Sequence, residues 1–323
     1  MGRSRERGWP APPPPLPVPV VDNHTHLETV VGWRVPGWDG PGADTDATPD
    51  LAAPLAAPLA VPLAAHLERA AAVGVPRMVQ VGCDVEAVRW TDAVVREHAA
   101  LVGAVAIHPN EAVLHAGVHE VAPDGLDPDP QPWHDLPLDE ALDLVATTAR
   151  GNPRIRAIGE TGLDHFRAGP RGRAVQREAF RAHVALAKEL GLALQIHDRD
   201  AHDEVVDVLL RDGAPERTVF HCFSGGEPLA RVAAEHGWFC SFAGPVSFPA
   251  NELLRDAARA LPARLLLVET DAPYLTVHPL RGRPNAPYLL PGTVRALAQA
   301  RGEDLAALCE TLSRTSEEVY GAW

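Results

Sequence analysis

A chain of 323 residues, 46% of them hydrophobic, has material for one large domain or two ordinary ones. Its formal net charge of −14 argues against broad electrostatic adhesion to nucleic acid or an anionic membrane. A phosphate-bearing substrate stays open, because bound divalent cations invert the local potential.

Cys83, Cys222, Cys240 and Cys309 show no CxxC spacing and read as reduced residues of a cytoplasmic protein. No apolar run reaches the roughly 18 residues of a membrane span. The basic N-terminus runs into prolines, not into the apolar core of a signal peptide.

Residues 1–16, Pro-rich and charged, read as a disordered or extended tail before a single domain at 17–323. The apolar run from Pro17 to Val21 predicts a buried strand leading into Asp22-Asn23-His24-Thr25-His26-Leu27. Residues i and i+2 of a strand face the same side, so both imidazoles leave the backbone together. Residues 31–62 repeat Leu-Ala-Ala-Pro, and prolines at that spacing disfavour a continuous helix. They read as an insertion or a lid, with Trp33 and Trp38 as substrate contacts or anchors.

From Leu63 the pattern is regular. Leu63 to Val73 predicts a helix, Met78 to Gly82 a strand, Glu86 to His98 a helix, and Leu101 to His108 a strand ending Ile107-His108-Pro109. After a second insertion, 117–137, Leu138 to Arg150 reads as a helix and Ile155 to Gly159 as a strand ending in Glu160. Arg171 to Leu190, Asp203 to Arg211, Glu227 to His236 and Ala250 to Ala260 read as helices. Between and after them, Ala193 to Ile196 ends in His197, Thr218 to Phe220 ends in His221, Trp238 to Phe242 follows, and Leu265 to Val268 ends in Glu269-Thr270-Asp271. Helices about Thr293 to Arg301 and Leu305 to Tyr320 close the chain. Eight short apolar strands alternating with helices predict a (β/α)8 barrel of the TIM type; a doubly wound open sheet is the rival.

In a closed parallel barrel, His24, His26, His108, Glu160, His197, His221 and Asp271 would all meet at one rim. Singly, each has a structural reading: packed histidines, and caps at Glu160 and Asp271. Together they supply ligands for two divalent ions with one bridging carboxylate. Lys188, the only lysine, sits in a helical pattern and cannot bridge as a carbamate, so Glu160 takes that place.

These phrases, with Gly159-Glu160-Thr161-Gly162-Leu163-Asp164, His197-Asp198-Arg199, His221-Cys222-Phe223-Ser224-Gly225 and Glu269-Thr270-Asp271-Ala272-Pro273-Tyr274-Leu275, resemble the TatD family from about residue 20 to 320. The resemblance implies a metal-dependent hydrolase of the amidohydrolase superfamily, usually a deoxyribonuclease. It implies one ion at His24, His26, Glu160 and Asp271 and another at Glu160, His197 and His221. It also places Arg283 and Asn285 in the loop after strand 8. Asn110 stands where the family often has a second histidine, and His165-Phe166 where it usually has tyrosine.

The expected chemistry is phosphodiester hydrolysis by two ions of Mg, Mn or Zn type. Glu160 and Asp271 are the catalytic carboxylates. His108, Arg199 and Ser224 contact substrate, unless Arg199 instead pairs with Asp198 or Asp200. Removal of D-amino acids from transfer RNA, C–N or lactone hydrolysis, and a non-catalytic metal-holding scaffold are the alternatives. Nucleic acid or a nucleotide diester is the expected partner, and no stable protein partner or membrane is implied.

Overall fold

The computed structural model describes residues 9–32 and 60–323. The body of the first insertion, with Trp33 and Trp38, lies outside the described residues.

Eight strands form one parallel sheet in sequence order: β1 (Val21–Thr25), β2 (Arg77–Gly82), β3 (Leu101–Val105), β4 (Ile155–Asp164), β5 (Ala193–Arg199), β6 (Thr218–Phe220), β7 (Phe239–Phe242) and β8 (Leu266–Val268). The helices around them are α1 (Leu27–Gly32), α2 (Ala60–Ala72), α3 (Val85–Glu97), α4 (Pro109–His115), α5 (Leu138–Gly151), α6 (Pro170–Leu190), α7 (His202–Asp212), α8 (Glu227–His236), α9 (Glu252–Ala260), α10 (Leu290–Arg301) and α11 (Leu305–Tyr320). The strands are short apolar runs because helices cover one face and the barrel interior the other; Val79, Val102, Ile158, Leu194 and Leu267 are all fully buried. Local signals set the helix ends. Asp84 and Asp304 accept from the first-turn N–H groups of α3 and α11, and Gly191 ends α6 at φ 61°.

The cylinder closes between its first and last strands through the segment that follows β8. Asp271 N–H donates to His24 O at 3.0 Å, His26 N–H to Ala272 O at 2.9 Å, and Thr25 bridges Ala272 in parallel register. Asn23 Nδ2 reaches across to Val268 O at 2.8 Å. Asp22 holds the same seam from below, its carboxylate accepting from both the N–H and the hydroxyl of Thr270 at 2.8 and 2.5 Å.

The structure corrects several expectations. β1 begins at Val21, not at Pro17, because Pro17 and Pro19 have no N–H to give a ladder. β3 stops at Val105, and His108-Pro109 opens a helix: His108 Nδ1 accepts from Asn110 N–H, and proline takes the first helical position. The described part of the tail, 9–16, has no regular secondary structure but is anchored. Trp9 packs edge-on to His66, Tyr288 donates to Pro10 O at 2.8 Å, and Leu16 N–H donates to Val73 O.

The second insertion contributes a single 3-10 turn, Pro132–Asp135, pinned to α4. Trp133 Nε1–H and His134 Nε2–H both donate to Glu111, at 3.1 and 2.8 Å. His134 Nδ1 accepts Gln131 N–H at 2.7 Å, so its proton sits on Nε2. The cluster of Glu111, His115 and His134 is therefore a hydrogen-bonded brace with no imidazole lone pair from His134 left to offer a metal.

Candidate metal centre

His24 and His26 leave β1 on one face, and Glu160 leaves β4 opposite them. His24 Nε2 lies 3.2 Å from His26 Nε2 and 3.5 Å from Glu160 Oε2. Asp271 Oδ1 lies 3.9 Å from His24 Nε2 and 3.5 Å from His26 Nε2. The other oxygen of Glu160 faces a second group: Oε1 is 2.6 Å from His197 Nδ1 and 3.1 Å from His221 Nε2. One carboxylate thus stands between two ligand sets, and all six expected metal residues converge.

Whether these residues suit divalent ions is decided by their outward-facing nitrogens. A ligating imidazole donates its other N–H to an acceptor, which fixes the tautomer. His24 Nδ1 meets Gln195 Oε1 at 3.1 Å, and His26 Nδ1 meets Val81 O at 3.2 Å. His197 Nε2 faces Asp164 Oδ2 at 3.3 Å, and His221 Nδ1 faces Glu269 Oε1 at 2.9 Å. His24 and His26 are hydrogen-bonded outward, and His197 and His221 each set the outward nitrogen beside a carboxylate, which leaves the inward nitrogens to a cation, so the site fits the group. His108 differs: its Nδ1 is an acceptor, so its Nε2–H points at Glu160 Oε1, 3.5 Å away, as a donor.

The electrostatics agree. Burial alone would push the Glu160 carboxyl up, but the charges of His221 and His108 and the hydrogen bond from His197 hold it well below the carboxylate range. Burial works against a proton on His197, yet Asp164 and Glu160 raise it to about 9. Burial and the neighbouring His221 keep His24 neutral. Glu160 and Asp271 are held ionised, and some imidazoles hold protons that an arriving cation would displace. Asp271 and Cys222 take left-handed backbone, φ 53° and 40°, and Asp271 so placed reaches His24 and His26. Hydrogen bonds from their N–H groups, to His24 O and to Glu269 Oε1, stabilise that geometry.

Gly162 lets β4 run on past Glu160. At φ 144°, its position would put a Cβ 2.0 Å from His197 O, so only glycine lets β4 and β5 approach there.

Among the expected substrate residues, Arg199 is exposed and its guanidinium carbon sits over Phe166, 4.1 Å from the ring centroid. Asp198 pairs with His202 at 2.7 Å instead of with Arg199. Ser224 gives its proton to Asp198 O, which ties the loop after β6 to the end of β5 and leaves only lone pairs for a ligand. Asn285 donates to Thr270 O and Tyr274 O, and Arg283 to Trp9 O, so both support the loop after β8. Gln195, Asp164, Glu269 and Asp22 were not singled out as site residues by the sequence reading. For Gln195, Glu269 and Asp22 the available signal is a polar residue two positions from an expected ligand; Asp164, four positions past Glu160, carries no such mark.

Residues 21–321 match the model of the family described as TatD related DNase. The chain belongs to the TatD family. A relative from Mycobacterium tuberculosis named as an uncharacterized metal-dependent hydrolase TatD is 39% identical over 309 residues, 94% of this chain and 98% of its own. The protein of Cronobacter sakazakii named 3'-5' ssDNA/RNA exonuclease TatD is 33% identical over 261 residues, covering 79% and 90%. The crystal structure of the TatD homologue YJJV from Escherichia coli shares the fold, with TM-score 0.73 at 23% identity over 94% of this chain and 98% of that one. The chain is a member of a family of metal-dependent hydrolases, and its fold is their TIM barrel. Among the described residues no helix is long and apolar enough to cross a membrane.

Proposed function

We propose that this chain is a divalent-metal-dependent phosphodiesterase acting on single-stranded nucleic acid. The observation that carries the reading is the divided carboxylate of Glu160, with Oε2 toward His24 and His26 and Oε1 toward His197 and His221. Two ions, one held by His24, His26, Glu160 and Asp271 and the other by Glu160, His197 and His221, would supply Lewis acidity and lower the pKa of an attacking water.

The chain's own residues divide the remaining work. Glu160, held as an anion by its imidazole neighbours, would hold both ions and does not act as an acid. Asp271, also held below the usual carboxylate range against its burial by His26, His221 and His24, takes the proton of the water. His108 offers Nε2–H toward a phosphate or leaving oxygen beside Glu160. Arg199, without a carboxylate partner among the described residues, donates to a non-bridging oxygen. The relatives named as ssDNA/RNA exonucleases support the nucleic-acid substrate. Four free thiols agree with a reducing cytoplasm.

The test is a panel of single-stranded DNA and RNA, small phosphodiesters, aminoacyl esters and lactones, run on chelator-treated protein with Mg, Mn or Zn returned. Turnover of the oligonucleotides that needs added metal supports the reading. Metal-dependent turnover confined to the esters or lactones overturns it.

A further inference from the structure

Above the ligands the wall of the mouth carries a second feature. Ladder pairs Gly162–His197, Leu163–Asp198 and Asp164–Arg199 continue β4 and β5 beyond Glu160. Arg199 is two residues past His197, on the same face and roughly 7 Å farther out. Its guanidinium carbon sits over the ring of Phe166, which is 36% exposed, and Arg199 itself is exposed. The platform is tied to the metal centre through Asp164: Oδ1 accepts the N–H of Phe166 at 3.0 Å, while Oδ2 faces His197 Nε2. From the other side the second insertion supports it. Glu120 Oε1 accepts Gly172 N–H at 2.7 Å at the start of α6, and Asp124 stands 3.5 Å from Arg167, the residue after Phe166.

We infer that Arg199, seated over Phe166, is a stacking platform for the nucleobase next to the scissile phosphodiester, and that the second insertion keeps this platform in place. The guanidinium edge reaches the phosphate while its face away from Phe166 receives the base. A delocalised planar cation stacks on any base, which makes the subsite tolerant of sequence. The step of about 7 Å from His197 is of the order of one nucleotide of extended chain. The inference rests on the phosphodiesterase reading.

The experiment compares two single-stranded oligonucleotides that differ only in the terminal nucleotide, which is base-bearing in one and abasic in the other. Wild type, Phe166→Ala, Phe166→Trp and Asp124→Ala are assayed in Mg or Mn, with urea denaturation of each to confirm folding. Wild type is expected to show a KM lower by roughly 5- to 150-fold for the base-bearing strand. Phe166→Ala should collapse that ratio toward one. Phe166→Trp should restore it, and Asp124→Ala should reduce it in part. An unchanged ratio in folded Phe166→Ala overturns the platform while leaving the phosphodiesterase reading intact. Absence of metal-dependent cleavage of both strands by wild type overturns that reading and the platform with it.

Discussion

Replacing Gln195 with leucine isolates the control of one ligand. Gln195 Nε2 donates to Asn23 O at 2.8 Å and to the Tyr320 hydroxyl at 2.7 Å, so its Oε1 must face His24. That oxygen draws the His24 proton to Nδ1 and leaves Nε2 free inside the cluster. In Gln195→Leu the imidazole loses its outward acceptor and is free to place the proton on Nε2. Loss of such an outer partner typically costs 10- to 100-fold in metal affinity, about 1.4–2.7 kcal/mol. The same change strips partners from Asn23 O and the Tyr320 hydroxyl, in residues at most 1% exposed, at roughly 1–3 kcal/mol of stability each. Tyr320→Phe separates the two effects, because it removes the hydroxyl but leaves Asn23 O to orient the amide. Calorimetric titration of metal into the apo proteins, beside urea denaturation, reads both. Gln195→Leu should lose affinity at one of two ions, and Tyr320→Phe should lose stability with little loss of affinity. Wild-type affinity at both ions in Gln195→Leu would refute the tautomer reasoning, as would equal loss in the two variants.

Three further outcomes are expected. Asp271→Asn should lower kcat by roughly 10²- to 10⁴-fold, the usual contribution of a proton acceptor, with an unchanged circular dichroism spectrum; a wild-type kcat would remove Asp271 from proton transfer. His66, whose pKa burial and then the nearby Arg69 lower to about 4, is neutral in the fold and takes up a proton on unfolding below pH 6.5. Stability attached to it is full above pH 6.5 and is lost as pH falls toward 4. Moving from pH 7 to pH 5 should therefore shift the stability difference between His66→Leu and wild type by about 2 kcal/mol in favour of the variant, and a difference independent of pH in urea titrations would contradict it. Gly162→Ala should cost roughly 2–6 kcal/mol, combining a positive φ with a collision against the His197 carbonyl, and a melting temperature equal to wild type would exclude that close approach.

The sequence revealed most where a strand's apolar run stops at a ligand. Thr218–Phe220, followed by His221, has the bounds its pattern predicted. The candidate ligands His24, His26, Glu160, His197, His221 and Asp271 were legible because each sits at or just past such a stop. The residues that orient them were not. Gln195 lies inside an apolar strand and meets His24 only once β1 and β5 face each other across the barrel, 171 residues apart in the chain. Glu269 looks like one more strand-end acid until its Oε1 is seen to accept Cys222 N–H while facing His221. α4 was hidden because the apolar run of β3 continues through Ile107, and the hydrogen bond from Asn110 N–H to the His108 ring that opens the helix leaves no compositional mark.

The seam of the cylinder has a consequence for how the protein holds together. Among the described residues no ladder pair joins β1 to β8 directly, and the backbone that closes the gap is the stretch that carries His24, His26 and Asp271. A cation gripped by those three side chains would staple the beginning of the barrel to its end. Emptying the centre should then loosen the molecule first along that joint, and amide exchange at His26 and Asp271 should quicken while β3 and β4 stay protected. Catalytic readiness and closure of the fold become one event.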